Sequence, residues 1–173
     1  MNKTGILLIQ LGTPDSPSVP DVRKYLREFL NDARVIDIPW LARKILVNLI
    51  IVPFRAPKSA KIYQKLWTEN GSPLLYYSVS LKDKLQKIIG DKYEIELAMR
   101  YQSPSMDEVL ERMRTKNYDR ILILPLFPHY ASATSGSAIE KAMKIIKKWW
   151  VIPEVKLITQ FWDDEGYLNS FTI

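Results

Sequence analysis

The sequence has no cysteine and only one histidine, His129. The first absence excludes disulfides, zinc–thiolate sites, thiol nucleophiles and cysteine-ligated iron–sulfur clusters, and it is compatible with the cytosol. The second leaves any metal site to His129 and oxygen ligands, a weak set for a stable transition-metal centre. No tightly bound cofactor is therefore expected. Long apolar runs are also missing: the longest, Ile45 to Phe54, is broken by Asn48 and Pro53 and falls short of the ~18 residues that a membrane span needs. Near the N-terminus, Gly5 to Leu11 is too short and too strand-like for a signal peptide and has no cleavage pattern behind it. The expectation is a mature, cytoplasmic chain. There is no P-loop, nucleophile elbow, zinc signature or G-x-G-x-x-G turn, so the common hydrolase and nucleotide-binding readings fall away.

What is present is the usage of a globular domain, with 47% hydrophobic and 25% charged residues in 173. That length suits one domain with a full core. No repeat, low-complexity tract or linker marks an internal boundary, so residues 1–173 are read as one unit. Four apolar runs read as strands: Gly5 to Leu11, Tyr93 to Met99, Arg120 to Phe127 and Val155 to Phe161. Three of them are almost continuously apolar, which is the mark of strands covered on both faces in a parallel sheet. Between the third and fourth, Ala138, Ile139, Ala142, Ile145, Ile146 and Trp149 recur at helical spacing over Ser137 to Trp150. Met106 to Met113 forms a second crossover helix, with Ser105 and Glu108 placed for a capping box. The pattern predicts an α/β domain with a four-stranded parallel sheet, three-layered and Rossmann-like.

The first connection, residues 12–92, is far longer than a crossover requires and predicts four helices: Ser18 to about Leu30, Pro39 to about Val52, Pro57 to about Trp67, and Ser72-Pro73 to about Ile89. From Leu41 to Thr68 there is no acidic residue, while Arg43, Lys44, Arg55, Lys58, Lys61 and Lys65 stand among Leu46, Ile50, Ile51, Val52, Phe54 and Trp67. A flat apolar molecule with carboxylates at its edge, or an anionic membrane surface, suits that mixture. Nucleic acid suits it less, because aliphatic side chains stack poorly on bases. Solvated helices with apolar sides turned to the core explain it equally well. His129 and the Ser132 to Gly136 turn follow the third strand, where open α/β sheets bind ligands; Ser132, Thr134 and Ser135 could meet an anion there, or Ser135 or Ser137 could simply cap the next helix. Arg100, after the second strand, must pair with a carboxylate of the protein or of a ligand. Beyond the fourth strand, Asp163 to Phe171 reads as the start of another helix.

Taken in order, these segments resemble the ferrochelatase family. GILLIQLGTPDSPSVPDVRKYLREFLND is similar to its opening strand, turn and helix, and PFRAPKSAKIYQKLWTENGSPLL matches best, with Arg55, Pro57, Lys58, Tyr63 and Gly71-Ser72-Pro73 in the family pattern. AMRYQSPSMDEVLERM and PLFPHYASATSGSAIE are similar to its second and third strands with their loops. The resemblance implies a lyase that inserts ferrous iron, its substrate, into a porphyrin during heme biosynthesis, in a cleft between two similar halves. This chain is as long as the first half only, so the expectation is an N-terminal half, from a truncated product or a split gene, inactive by itself. The family's histidine, in a Ser-x-His-Gly/Ser-Leu-Pro stretch, and its acidic partner belong to the second half, and His129 is not that histidine. By the resemblance Arg55, Lys58 and Ser72 would contact porphyrin propionates, Leu11 and Tyr63 would line the pocket, and Arg100 and Tyr101 would face the macrocycle near the metal path. The resemblance also implies a hydrophobic lip near the inner face of a membrane, and the missing half would leave an apolar surface open to homodimerisation.

Overall fold

The structure, a computed structural model, describes residues 3–172. Four parallel strands, β1 (Thr4–Gly12), β2 (Tyr93–Tyr101), β3 (Arg120–Pro125) and β4 (Glu154–Leu157), form one sheet in the order β2-β1-β3-β4. The crossovers are α5 (Met106–Thr115) and α6 (Ser137–Ile146), and the long insertion supplies α1 (Val19–Leu30), α2 (Trp40–Ile45), α3 (Val52–Leu66) and α4 (Pro73–Ile89). A short α7 (Glu165–Asn169) follows β4. The predicted α/β fold and all four strands are therefore present. β3 and β4 are shorter than expected: β3 stops at Pro125, which has no N–H to continue a ladder, and β4 ends at Leu157 beside it.

The near-continuous apolar strands are explained by burial on both faces. On one side Leu7, Ile9, Ala98, Ile121 and Ile123 pack against Met106, Leu110 and Met113 of α5 and Ala138, Ala142 and Ile146 of α6. On the other, Leu8, Ile95 and Leu97 meet Leu85 and Ile89 of α4. Helix starts follow the capping chemistry read from the sequence. Ser18 Oγ accepts the Asp21 N–H at 3.3 Å, and the Ser105–Glu108 box closes in both directions, each bond 3.2 Å long. Neither Ser135 nor Ser137 caps α6, because a π-helical turn, Ser132–Gly136, runs straight into it and its backbone already has helical geometry there.

The second and third predicted insertion helices are one continuous helical run. α2 passes through a π-helical segment, Leu46–Ile51, into α3, and Pro57 lies inside α3 rather than opening a helix. Burial gives the reason. Val47, Val52, Ala56 and Ala60 are all at most 1% exposed, at spacings of five, four and four. The wider π turn realigns them onto one face, which packs against Val22, Tyr25 and Leu26 of α1 and Tyr101 at the end of β2. Asn48, the polar break in the longest apolar run, serves the same segment by donating to the Lys44 carbonyl at 2.9 Å.

The α1–α3 layer sits on the carboxyl ends of β1 and β2, where the two strands come closest to a clash. Gly12, opposite Tyr101 in register, has φ of 113°, and a Cβ there would lie 2.0 Å from the Tyr101 carbonyl oxygen. Gly12→Ala is expected to lower stability by about 2–3 kcal/mol through strain and overlap. Gly90→Ala, at φ of 66° and ψ of −165° with open space around it, meets no neighbour and should cost about 1–2 kcal/mol from backbone strain alone. Urea midpoints of the two variants measure the difference.

Candidate functional site

Because the strands are parallel, the loops after β1, β2 and β3 emerge at one edge of the sheet. Thr13, Arg100 to Gln102, and Pro128 to Ser135 are gathered there, as the position of ligand sites in open α/β sheets requires. The centre of this edge is a residue that the sequence did not single out. Asp32, in the loop after α1, accepts from Arg100 Nη2 at 2.6 Å, from the Tyr101 hydroxyl at 2.9 Å and from Ser137 Oγ at 2.5 Å through one oxygen. Its other oxygen accepts the Arg34 N–H at 2.8 Å. The side chains of Arg100 and Asp32 are only 14% and 10% exposed. Arg100 Nε also donates to Ser137 Oγ at 2.7 Å, and the guanidinium lies 4.4 Å from the centre of the Tyr101 ring.

Burial pushes the Asp32 carboxyl up, but hydrogen bonds from Ser137, the Arg34 N–H and Tyr101, with the Arg100 charge, outweigh it and hold the group below its ordinary range. Burial also pushes the Tyr101 phenol well above its ordinary value, so it stays neutral and donates. Of the two possibilities for Arg100, the structure thus takes the internal carboxylate. Tyr101 is fully buried and presents no surface to a ligand, a difference from the expectation that it faces a macrocycle.

Leu11 and Tyr63 meet in a single apolar cluster with Tyr25 and Tyr101. The Tyr63 ring stands edge-on to Tyr25 with centroids 6.3 Å apart. Burial raises both phenols, while the nearby Arg55 charge works in the opposite direction. Arg55 and Lys58 themselves are exposed on α3. Arg43, counted with them in the sequence, is not available: it is 8% exposed and donates to the Ile36 and Ile38 carbonyls at 3.1 and 2.9 Å.

Ser72 is buried, and its hydroxyl donates to Thr13 Oγ1 at 2.9 Å. The bond clips the start of α4 to the turn after β1, beside a groove of about 510 Å³ lined by Pro14, Trp67, Gly71 and Leu75. A more polar groove of about 610 Å³ brings Arg100 and Asp32 together with Lys24, Arg27 and Lys44. A third, of about 550 Å³, is apolar, with Leu74, Tyr77, Leu126, Pro128 and Phe161 in its walls. Arg55, Lys58 and Tyr63 line none of these three. His129 is exposed and stacks on Trp162, with ring centroids 6.1 Å apart. Ser132 accepts from Arg34 Nη1 at 3.2 Å, whereas the Ser135 hydroxyl is buried without a partner. Among the described residues no group of three or more His, Asp and Glu side chains is placed to hold a metal ion.

The open, all-parallel α/β sheet with a helical insertion over its carboxyl edge has the architecture of a chelatase-like domain. A family model described as Ferrochelatase matches residues 3–172. Ferrochelatase of Legionella pneumophila is 48% identical over 168 residues, covering 97% of this chain and 50% of the relative. Ferrochelatase of Coxiella burnetii is 44% identical over 171 residues, covering 99% of this chain and 47% of the relative. The chain belongs to the ferrochelatase family, and it spans about half the length of the curated relatives it matches.

The Asp32 centre has a measurable consequence. Asp32→Asn removes the charge that partners buried Arg100, at an expected cost of about 3 kcal/mol at neutral pH. A carboxyl depressed by folding contributes stability that is fully present above its ordinary value of 3.8 and is lost as pH falls through the folded value. The gap between wild type and variant, followed by denaturant unfolding, should therefore close below about pH 4. A gap independent of pH would locate its origin in packing rather than in the ion pair.

Proposed function

We propose that this chain is the N-terminal, porphyrin-binding half of a ferrochelatase, which inserts ferrous iron into a porphyrin, and that it is inactive without a second half. The observation that carries the reading is the family match across residues 3–172 over half the relatives' length. The arrangement of the site supports it. Leu11 and Tyr63 supply apolar surface for a flat macrocycle, and Arg55 and Lys58 supply charge-assisted hydrogen bonds for carboxylates at its edge. Ser72 would join them by exchanging its bond to Thr13 for one to a carboxylate. His129, Ser132 and Ser135 border the same carboxyl edge. Arg100, held by Asp32, acts by keeping a positive charge beside the macrocycle without spending it on a propionate.

In insertion, the pyrrole nitrogens lose two protons as the metal enters, with no change of its oxidation state. Binding at the propionates and the apolar faces favours a bent macrocycle whose nitrogens are accessible. Proton acceptance belongs to groups outside this chain, since its single histidine stands against Trp162 in the family's third-strand motif. Exposed Trp40, Leu41, Leu49, Ile50 and Phe54, interspersed with Lys44 and Arg55, favour a second role for the α2–α3 surface as a lip in contact with a membrane. No helix among the described residues is long and apolar enough to cross one.

The test is ferrous insertion into a dicarboxylate porphyrin, followed by absorbance, for the chain alone and with a separately made second half. Insertion only upon complementation is expected; insertion by the chain alone would contradict the division of labour. In the same assay Arg55→Ala should weaken porphyrin binding by about 1.5–3 kcal/mol, the worth of a hydrogen bond to a charged group. An unchanged affinity would remove Arg55 from the site.

A further inference from the structure

The groove of about 610 Å³ beside the Asp32 centre gathers Lys24, Arg27, Lys44 and Arg100 against only two carboxylates, Glu28 and Asp32. Both carboxylates are already engaged. Asp32 is met by Arg100, Tyr101 and Ser137, and one Glu28 oxygen accepts the Gln102 N–H at 3.1 Å and the Gln102 side-chain amide at 2.5 Å. Lys24 is tied to Asp15 at 3.2 Å. Arg27 and Lys44 form no ion pair among the described residues, which leaves the groove with two cations and no counter-charge for either.

The fold brings these two cations together. Asn31 Nδ2 donates to the Arg27 carbonyl at 2.7 Å and to Asn48 Oδ1 at 3.3 Å, while Asn48 Nδ2 donates to the Lys44 carbonyl at 2.9 Å. The amide pair thus bridges the turn of α1 that bears Arg27 to the turn of α2 that bears Lys44. The helix dipole accounts for a cation at Arg27, in the last turn of α1. It does not account for Lys44, because α2 does not end there but runs on through the π-helical segment into α3. Another part of the wall is fixed at a cost: Gln102 has φ of 66°, which Glu28 holds through both of its bonds, and such strain collects at ligand clamps.

The lining excludes several kinds of ligand. Pro20 is its only apolar side chain and it contains no aromatic residue, so a macrocycle, a nucleobase or an acyl chain would find nothing to rest on. Leu11, Arg55, Lys58, Tyr63 and Ser72 do not line it, and neither do the apolar residues of the α2–α3 lip, Trp40, Leu41, Leu49, Ile50 and Phe54. Two uncompensated cations in a wholly polar groove suit a small oxyanion of two or more charges, to which arginine offers paired N–H donors and lysine a point charge. We propose that this groove binds a small multivalent oxyanion, an oligophosphate or a polycarboxylate, on Arg27 and Lys44. The site is separate from the porphyrin surface and stands whether or not α3 binds a porphyrin.

Isothermal titration calorimetry of the chain with pyrophosphate, and in parallel with citrate, tests it at low salt. One anion per chain is expected, with an affinity that falls as sodium chloride is added. Binding of pyrophosphate alone would assign the site to phosphates, and binding of citrate alone would assign it to carboxylates. Arg27→Ala and Lys44→Ala should each weaken binding on the order of tenfold, the loss of one charge-assisted contact. Arg55→Ala with Lys58→Ala should titrate as wild type does. Arg27 is exposed and Lys44 half-buried, and an unchanged urea midpoint verifies that the fold of each variant is intact. Binding of neither anion, several weak equivalents per chain, Arg27 and Lys44 variants that bind as wild type does, or a loss confined to the Arg55 and Lys58 pair would each overturn the proposal.

Discussion

A carboxylate taken out of water must be met by donors, and at Asp32 the donors come from three separate parts of the chain. Arg100 and Tyr101 end β2, Ser137 starts α6, and the Arg34 N–H belongs to the loop that carries Asp32 itself. Removing any one leaves buried charge or a buried dipole unmatched, so the loop after α1, the carboxyl edge of the sheet and the second crossover helix are held as one unit. Everything the site needs is attached to that unit. The loop leads into α2 and α3, which carry Arg55 and Lys58, and Tyr101 forms the floor on which Tyr25, Val52 and Ala56 pack.

A second constraint acts next to the first. Gly12 lets β1 pass against the Tyr101 carbonyl where no side chain fits, and the chain then turns through Thr13 to meet Ser72. The turn after β1 and the start of α4 are thereby tied together, although 59 residues separate them in sequence. These two devices explain why so long an insertion adopts a defined place over the sheet rather than hanging from it as a loop. They also divide the polar residues of the edge into those consumed by structure, Arg43, Ser72, Tyr101 and Arg100, and those left facing water, Arg55 and Lys58.

Much of the fold was legible because it rests on local chemistry. The apolar runs gave the four strands, and Ser18, Ser105 with Glu108, and Pro73 marked helix starts that the structure reproduces. Where the reading failed, a tertiary demand overrode a local signal. Pro57 signals a helix start, but burial of Val47, Val52, Ala56 and Ala60 against α1 carries the helix through it with the help of a π turn. Ser135 and Ser137 look like caps, but Asp32 takes the Ser137 hydroxyl from 105 residues away. Asp32 itself was invisible, since an aspartate after a helix is ordinary in sequence and only the fold brings Arg100 to it. The basic, apolar stretch from Leu41 to Thr68 likewise could not reveal that Arg43 is tied to two backbone carbonyls while Arg55 is free.

The most direct test of the account is a crystal structure of the chain with a metal-free dicarboxylate porphyrin. The account places the macrocycle on the surface formed by Leu11 and Tyr63, with a carboxylate on Arg55 and Lys58 and the Asp32–Arg100 pair unbroken beside it. A porphyrin carboxylate on Arg100 with Asp32 displaced, or a macrocycle bound away from α3, would contradict it.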